Sequence, residues 1–217
     1  MPKVGVIIPA FNEAPRISDV LNRVIKMPFF DKIVVVDDGS TDETFSIARK
    51  YPVNTLKLEK NLGKGAALQH GLSLLKNVDI CVFLDADLIN LNENHVQALI
   101  SPLLEDSEMD MSIGVFYDRR KKSVDLAQKY FSILNGQRAL SRKFIDTLPD
   151  LSWSRFGVEV LLSKYAKKTG AKVTYPPLEG ISHYTKEEKL GFYRGFIYRL
   201  QMYKEVLYTL FNYNRYI

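Results

Sequence analysis

The chain has 217 residues, 46% hydrophobic and 25% charged, with a formal net charge of +5. These are ordinary values for one soluble globular domain with a substantial core. The single Cys81 excludes an internal disulfide and suits a reducing compartment. No run approaches the roughly 18 apolar residues of a membrane span, and the positive balance favours anionic partners without choosing among phosphates, nucleotides and acidic lipids.

The first residues, "MPKVGVIIPAFNE", carry one basic residue and a short apolar run without a cleavage-site pattern, so a strand is expected rather than a secretory leader. "APRISDVLNRVIKM" places Ile17, Val20, Leu21, Val24 and Ile25 at helical spacing. "KIVVVD" reads as a strand, and "TDETFSIARKY" as a helix capped by Ser40 or Thr41 with acids in its first turn. "NTLKLE" is strand-like, "GKGAALQHGLSLLKN" helical and "DICVFLD" an apolar strand. "NENHVQALISPLLED" reads as a helix and "DMSIGVFY" as a strand. Alternating strands and helices imply crossovers and a mainly parallel sheet covered on both faces, which the unbroken apolar strands support. After Tyr117 come a basic loop, "DRRKKSVD", and a mixed stretch to about Trp153. "SRFGVEVLLSKYAKKTG" is then a helix ended by Gly170, "AKVTYPP" a strand, and a long aromatic and basic helix follows. One domain is expected over 1–217: a ligand-binding half over 1–117, a second half over 118–188 and an amphipathic helix over 189–217.

Several phosphate-binding patterns are absent. There is no G-x-x-x-x-G-K-[ST] loop, and Gly63-Lys64-Gly65 is followed by Leu68 where a dinucleotide fingerprint needs glycine. No G-x-S-x-G elbow occurs either. The distinguishing feature is polar groups at strand ends: "PAFNE" after the first strand, "DDGS" after the second and "DAD" after the fourth. Ligands of an open parallel sheet bind beyond these carboxyl ends. Two carboxylates in a D-x-D turn suit Mg²⁺ or Mn²⁺, which keeps positions open for phosphate oxygens. Asp37 or Asp38 offers acceptors for a base or ribose instead, and the amides around Gly39 offer donors. His70 and His95 fall within helical segments and read as structural.

"VIIPAFNE", "VVVDDGSTD", "NLGKGAAL" and "FLDADL", in that order and spacing, resemble a family 2-type glycosyltransferase of the GT-A fold. The resemblance covers the first half of the chain. It implies an α/β nucleotide-diphospho-sugar transferase fold and a donor held by Mg²⁺ or Mn²⁺. Pro9, Phe11 and Glu13 would lie under the nucleotide, with Asp37 on the base and Lys64 near the diphosphate. Asp85 and Asp87 would form the D-x-D that holds the metal and the donor, with Asp87 the more direct metal ligand and a catalytic residue. "NGQRALSRK", "GVEVLLSKYAKKTGAKV" and "GISHYTKEEKLG" are similar to segments of polyprenyl-phosphate sugar synthases and glucosyl-phosphoglycerate synthases. That comparison puts Arg138 on phosphate and His183 on the metal.

Arg119, from the basic loop, is expected to help bind the donor or an anionic acceptor. Glu159 is the obvious candidate base, since Val158-Glu159-Val160 stands where many inverting relatives carry an E-D pair. A phosphate acceptor is already anionic and needs no base. The expectation is therefore a non-processive transfer to a phosphorylated acceptor, either a polyprenyl phosphate or a small metabolite. A sugar nucleotidyltransferase is the alternative, but it would show a G-x-G-x-R loop where "PAFNEAPR" stands. A nucleotide-sugar-binding protein without catalysis is a third reading. No nucleic-acid module is present. The last helix carries Phe192, Phe196, Leu200, Tyr203, Leu207 and Leu210 as a stripe with Arg194, Arg199 and Lys204 interspersed. The expected partners of that stripe are the domain itself, a homodimer interface or an anionic membrane, placing the protein in the cytoplasm, free or at the inner membrane face.

Overall fold

The computed structural model describes residues 2–117, 135–184, 188 and 191–217, without the side chains of 192, 194, 195 and 198. Arg119 and the basic loop lie outside the described residues. In chain order the first elements are β1 (Val4–Ala10), α1 (Ile17–Val24), β2 (Lys32–Asp37), α2 (Thr44–Ala48), β3 (Asn54–Lys57), α3 (Lys64–Leu74) and β4 (Ile80–Phe83). Next come β5 (Leu88–Ile89), α4 (Glu93–Glu105), β6 (Met111–Ile113) and β7 (Val115–Tyr117). The second half supplies β8 (Arg138–Ser141), α5 (Arg142–Ile145), a 3-10 turn (Ser152–Gly157) and α6 (Val158–Thr169). It ends with β9 (Val173–Thr174), β10 (Pro177–Glu179), β11 (Ser182–His183) and α7 (Phe192–Tyr216).

The central sheet has seven strands in the order β3-β2-β1-β4-β8-β6-β9. Strand β8 is antiparallel to both neighbours, and the other pairs are parallel. Both faces are covered. Val6 and Ile8 point into a core with Ile17, Leu21 and Leu99 from α1 and α4. Ile7, between them, points into a second core with Leu68 and Leu161 from α3 and α6. Burial on both faces is why these strands read as unbroken apolar runs. The α3 glycines permit close packing: a Cβ at Gly71 would strike Ile7 of β1, and one at Gly65 would strike the Leu151 carbonyl and Ser154 Oγ. Among the described residues, no helix is long and apolar enough to cross a membrane.

Three local expectations need correction. Helix α2 has five residues with Glu43 at its N-cap and no side-chain cap, because Ser40 and Thr41 are bound to the loop after β1. "DMSIGVFY" divides at Gly114: β6 joins the main sheet, whereas β7 pairs with β10. "SRFG" belongs to a 3-10 turn with Arg155 at φ 47°, and α6 starts only at Val158. Its predicted end holds, since Gly170 terminates α6 in the left-handed conformation.

Candidate active site

The parallel register aligns Ala10 with Asp37 and Ile7 with Phe83, so the loops after β1, β2 and β4 emerge on one sheet edge. The first two loops are stitched together. The N–H of Asn12 donates to Ser40 Oγ (2.9 Å), that of Glu13 to Thr44 Oγ1 (2.8 Å), and that of Ala14 to Asp42 Oδ2 (3.1 Å). In return, the N–H of Thr41 donates to Asn12 Oδ1 (3.0 Å), and Asn12 sits at φ 54° to make the turn. Pro9 and Phe11 are half-buried on this platform. The Glu13 carboxylate is buried and takes Arg16 Nε at 2.6 Å, so it braces the loop.

The two adjacent aspartates have different tasks. Asp38 accepts the N–H groups of Leu62 and Gly63, each at 2.8 Å, and so ties the β2 turn to the loop before α3. Burial raises its carboxyl pKa, while those two N–H groups pull it back down. Gly39 makes the turn possible: its φ is 72°, and a Cβ there would strike the Lys60 backbone. Asp38→Ala should cost about 3 kcal/mol by stranding two N–H donors; an unchanged urea midpoint would rule out the brace. Asp37 is fully buried, and its Oδ1 accepts the Ser40 N–H at 3.0 Å. Its Oδ2 has no hydrogen-bond partner, and Lys57 Nζ stands 3.8 Å away. A buried acceptor in that state needs a donor, and a ligand can supply one.

Lys64, at the start of α3, lies between two carboxylates: Asp85 Oδ1 at 2.5 Å and Glu159 Oε1 at 2.6 Å. Asp85 is gripped again by Gln137, whose Oε1 accepts the Asp85 N–H (3.0 Å) and whose Nε2 donates to Asp85 Oδ2 (2.7 Å). Burial opposes the charge on Asp85, but Lys64 and Gln137, with a contribution from His183, pull its pKa down to about 2. Burial likewise opposes the charge on Lys64, and the two carboxylates outweigh it and push the ammonium pKa up. Gly136 leaves room for this group, because a Cβ there would displace Lys64 Nζ and crowd the Asp85 carboxylate. Glu159 opens α6 and is buried, so the candidate base is held in an ion pair by Lys64.

Arg138 opens β8 and pairs with Phe83 at the carboxyl end of β4. It is fully buried, with Nε donating to the Asn135 carbonyl at 2.9 Å, and burial lowers its pKa to about 10 despite the nearby Glu159. Asp87 is buried, one residue before β5. The β5–β11 pairing places His183 opposite Leu88, and the His183 ring lies 5.6 Å from that of Phe116. Among the described residues no three His, Cys, Asp or Glu side chains are gathered as a ready-made metal cage. Asp85, Asp87 and His183 would offer carboxylate and imidazole donors of the kind that suits an ion keeping positions for phosphate and water.

Residues 5–165 match the family described as Glycosyl transferase family 2. The chain belongs to that family. It is a glycosyltransferase by family and by fold. The glucosyl-3-phosphoglycerate synthase of Petrotoga mobilis is 28% identical to this family 2 chain, over 79% of the chain and 63% of the synthase. The dodecaprenyl-phosphate galacturonate synthase of Rhizobium johnstonii is 30% identical over 52% of the chain and 35% of its own length. The chain thus spans between about a third and two-thirds of these relatives. The crystal structure of glucosyl-3-phosphoglycerate synthase from Mycobacterium tuberculosis, in complex with Mn²⁺, uridine diphosphate and glucosyl-3-phosphoglycerate, superposes with a TM-score of 0.76 at 25% identity. That match covers 96% of this chain and 78% of the other. Family 2 membership displaces the nucleotidyltransferase alternative.

Sequence reasoning missed Gln137 and the stitching side chains Asn12, Ser40, Asp42 and Thr44. Gln137 had no spacing signal, because its position depends on β8 running antiparallel beside β4, with Phe83 paired to Arg138. His95 is structural: with Asn92 it forms the capping box of α4, and its Nε2 meets the Glu179 carbonyl at 2.8 Å.

Proposed function

We propose that the protein transfers a glycosyl group, once per encounter, from a uridine-diphosphate sugar to a phosphorylated acceptor. What supports this is the Lys64–Asp85 pair on the sheet edge to which the loops carrying Asp37 and Asp87 also lead. Asp37 Oδ2, buried without a hydrogen bond, would take the N–H of the base, with Pro9 and Phe11 beneath it. Asp87 and His183 would hold a divalent metal ion, while Asp85 keeps both oxygens engaged by Lys64 and Gln137 and acts beside it. The ion would neutralise charge on the departing diphosphate. Lys64 would add positive charge next to that group, and Arg119 is proposed to help hold the donor or acceptor.

The phosphorylated acceptor follows from Glu159 and the relatives together. Glu159 is engaged by Lys64 at 2.6 Å and is not free to meet an acceptor hydroxyl, whereas a polyprenyl-phosphate oxygen needs no deprotonation. A hydroxyl of a phosphorylated metabolite, as in the glucosyl-3-phosphoglycerate synthases, would need Lys64 to release Glu159 first. Thermal unfolding with UDP-glucose and UDP-galacturonate, with and without Mn²⁺, tests the donor site. Mn²⁺-dependent stabilisation by one of them is expected; binding without metal dependence would overturn the site. Radiolabelled transfer to 3-phosphoglycerate against a short polyprenyl phosphate then selects the acceptor.

A further inference from the structure

Helix α7 packs on its own domain through polar groups and its last aromatic residues, and leaves an apolar face uncovered. Its inward side is anchored by polar groups: Glu205 takes Arg155 Nε at 3.0 Å and the Phe156 N–H at 3.3 Å. Thr209 Oγ1 donates to the Ser154 carbonyl at 3.2 Å, and Tyr213 is buried under Lys164. The described part of the expected apolar stripe lies on the other side, the Phe192 side chain being outside the described residues. Phe196, Leu200, Tyr203, Leu207, Leu210 and Phe211 are all exposed, Leu207 by 50% and Phe211 by 84%. Such a continuous row differs from the scattered apolar residues of ordinary surfaces and marks an interaction site.

Charge identifies the partner. Residues 192–217 contain Arg194, Arg199, Lys204 and Arg215 and a single acid, Glu205. Glu205 is turned inward onto Arg155, while Arg199, Lys204 and Arg215 are exposed. A second copy laid on this face would set cations against cations with no acid between them. An anionic bilayer offers acyl chains to the leucines and phenylalanines, an interface to the tyrosines, and headgroup phosphates to the arginines and lysine.

We propose that α7 is a membrane-surface helix that docks flat on anionic lipid. The protein lies on the bilayer, in keeping with the lack of a spanning helix among the described residues. Arg155 connects the docked helix to the site, because its guanidinium also donates to the Leu62 carbonyl (3.2 Å) and Asn61 Oδ1 (3.0 Å), just before Lys64.

Flotation of the full chain tests this without donor or acceptor, so its outcome is independent of the transfer reaction. Vesicles of phosphatidylcholine containing phosphatidylglycerol should bind the protein roughly a hundredfold better than phosphatidylcholine alone, with added salt weakening binding. The double substitution Leu207→Ser and Phe211→Ser should abolish flotation while leaving the melting temperature and the Mn²⁺-dependent donor shift in place. Failure of the unaltered chain to float, equal binding to uncharged vesicles, or undiminished binding by the double variant would overturn the proposal. So would a concentration-dependent dimer in sedimentation that the double variant dissolves, since a second copy would then own the face.

Discussion

Lys64→Met should unfold at a temperature well below that of the unaltered protein. The lysine side chain is only 14% exposed, and it sits between Asp85 and Glu159, whose side chains are 26% and 10% exposed. Replacing it with an apolar chain of similar length keeps the packing and leaves two carboxylates facing each other without their shared counter-charge. Removing one partner of a buried ion pair costs about 3–5 kcal/mol, which for a chain of this size lowers the melting temperature by roughly 6–20 °C. Adding Glu159→Gln to Lys64→Met should restore part of the loss, since one of the two stranded charges is gone. The pair of variants separates electrostatics from packing: equal destabilisation in single and double variants would mean that Lys64 acts through its methylenes.

The second large effect concerns the two acids of the D-x-D turn, which the structure treats unequally. Asp85→Asn keeps a hydrogen-bonding side chain beside Gln137 but loses its charge toward Lys64. It should lower kcat by about 10- to 100-fold, in the range of groups that orient a metal site from behind. Asp87→Asn should lower kcat by roughly a thousandfold, comparable to losing a principal stabiliser of transition-state charge. It should also raise the Mn²⁺ concentration needed for half-maximal donor stabilisation, whereas Asp85→Asn should leave that concentration nearly unchanged. Equal shifts in metal requirement for both variants would assign Asp85 to the metal as well.

Much of this architecture is legible along the chain because its causes are local. Strands buried on both faces must be continuously apolar, and helices over them must show one apolar side, so β1, β2, β4, α1 and α4 declare themselves. The polar residues after β1, β2 and β4 mark a site because a parallel sheet sends all its strand ends to one edge. The two aspartates after β2 could be divided between ligand and brace only with the loop before α3 in view, where Leu62 and Gly63 claim Asp38.

Sequence by itself determined the doubly covered parallel sheet and the acidic carboxyl edge, since both follow from residue periodicity and turn chemistry within a few positions. Tertiary structure alone decided which charges meet. An antiparallel β8 inserted beside β4 brings Gln137 to Asp85, and α6 delivers Glu159 to Lys64, across sequence separations of 52 and 95 residues. It also decided which way the last helix faces. The stripe was visible, but its orientation was set by Glu205 and Thr209, whose polar bonds to the Ser152–Gly157 turn hold α7 with its apolar side outward.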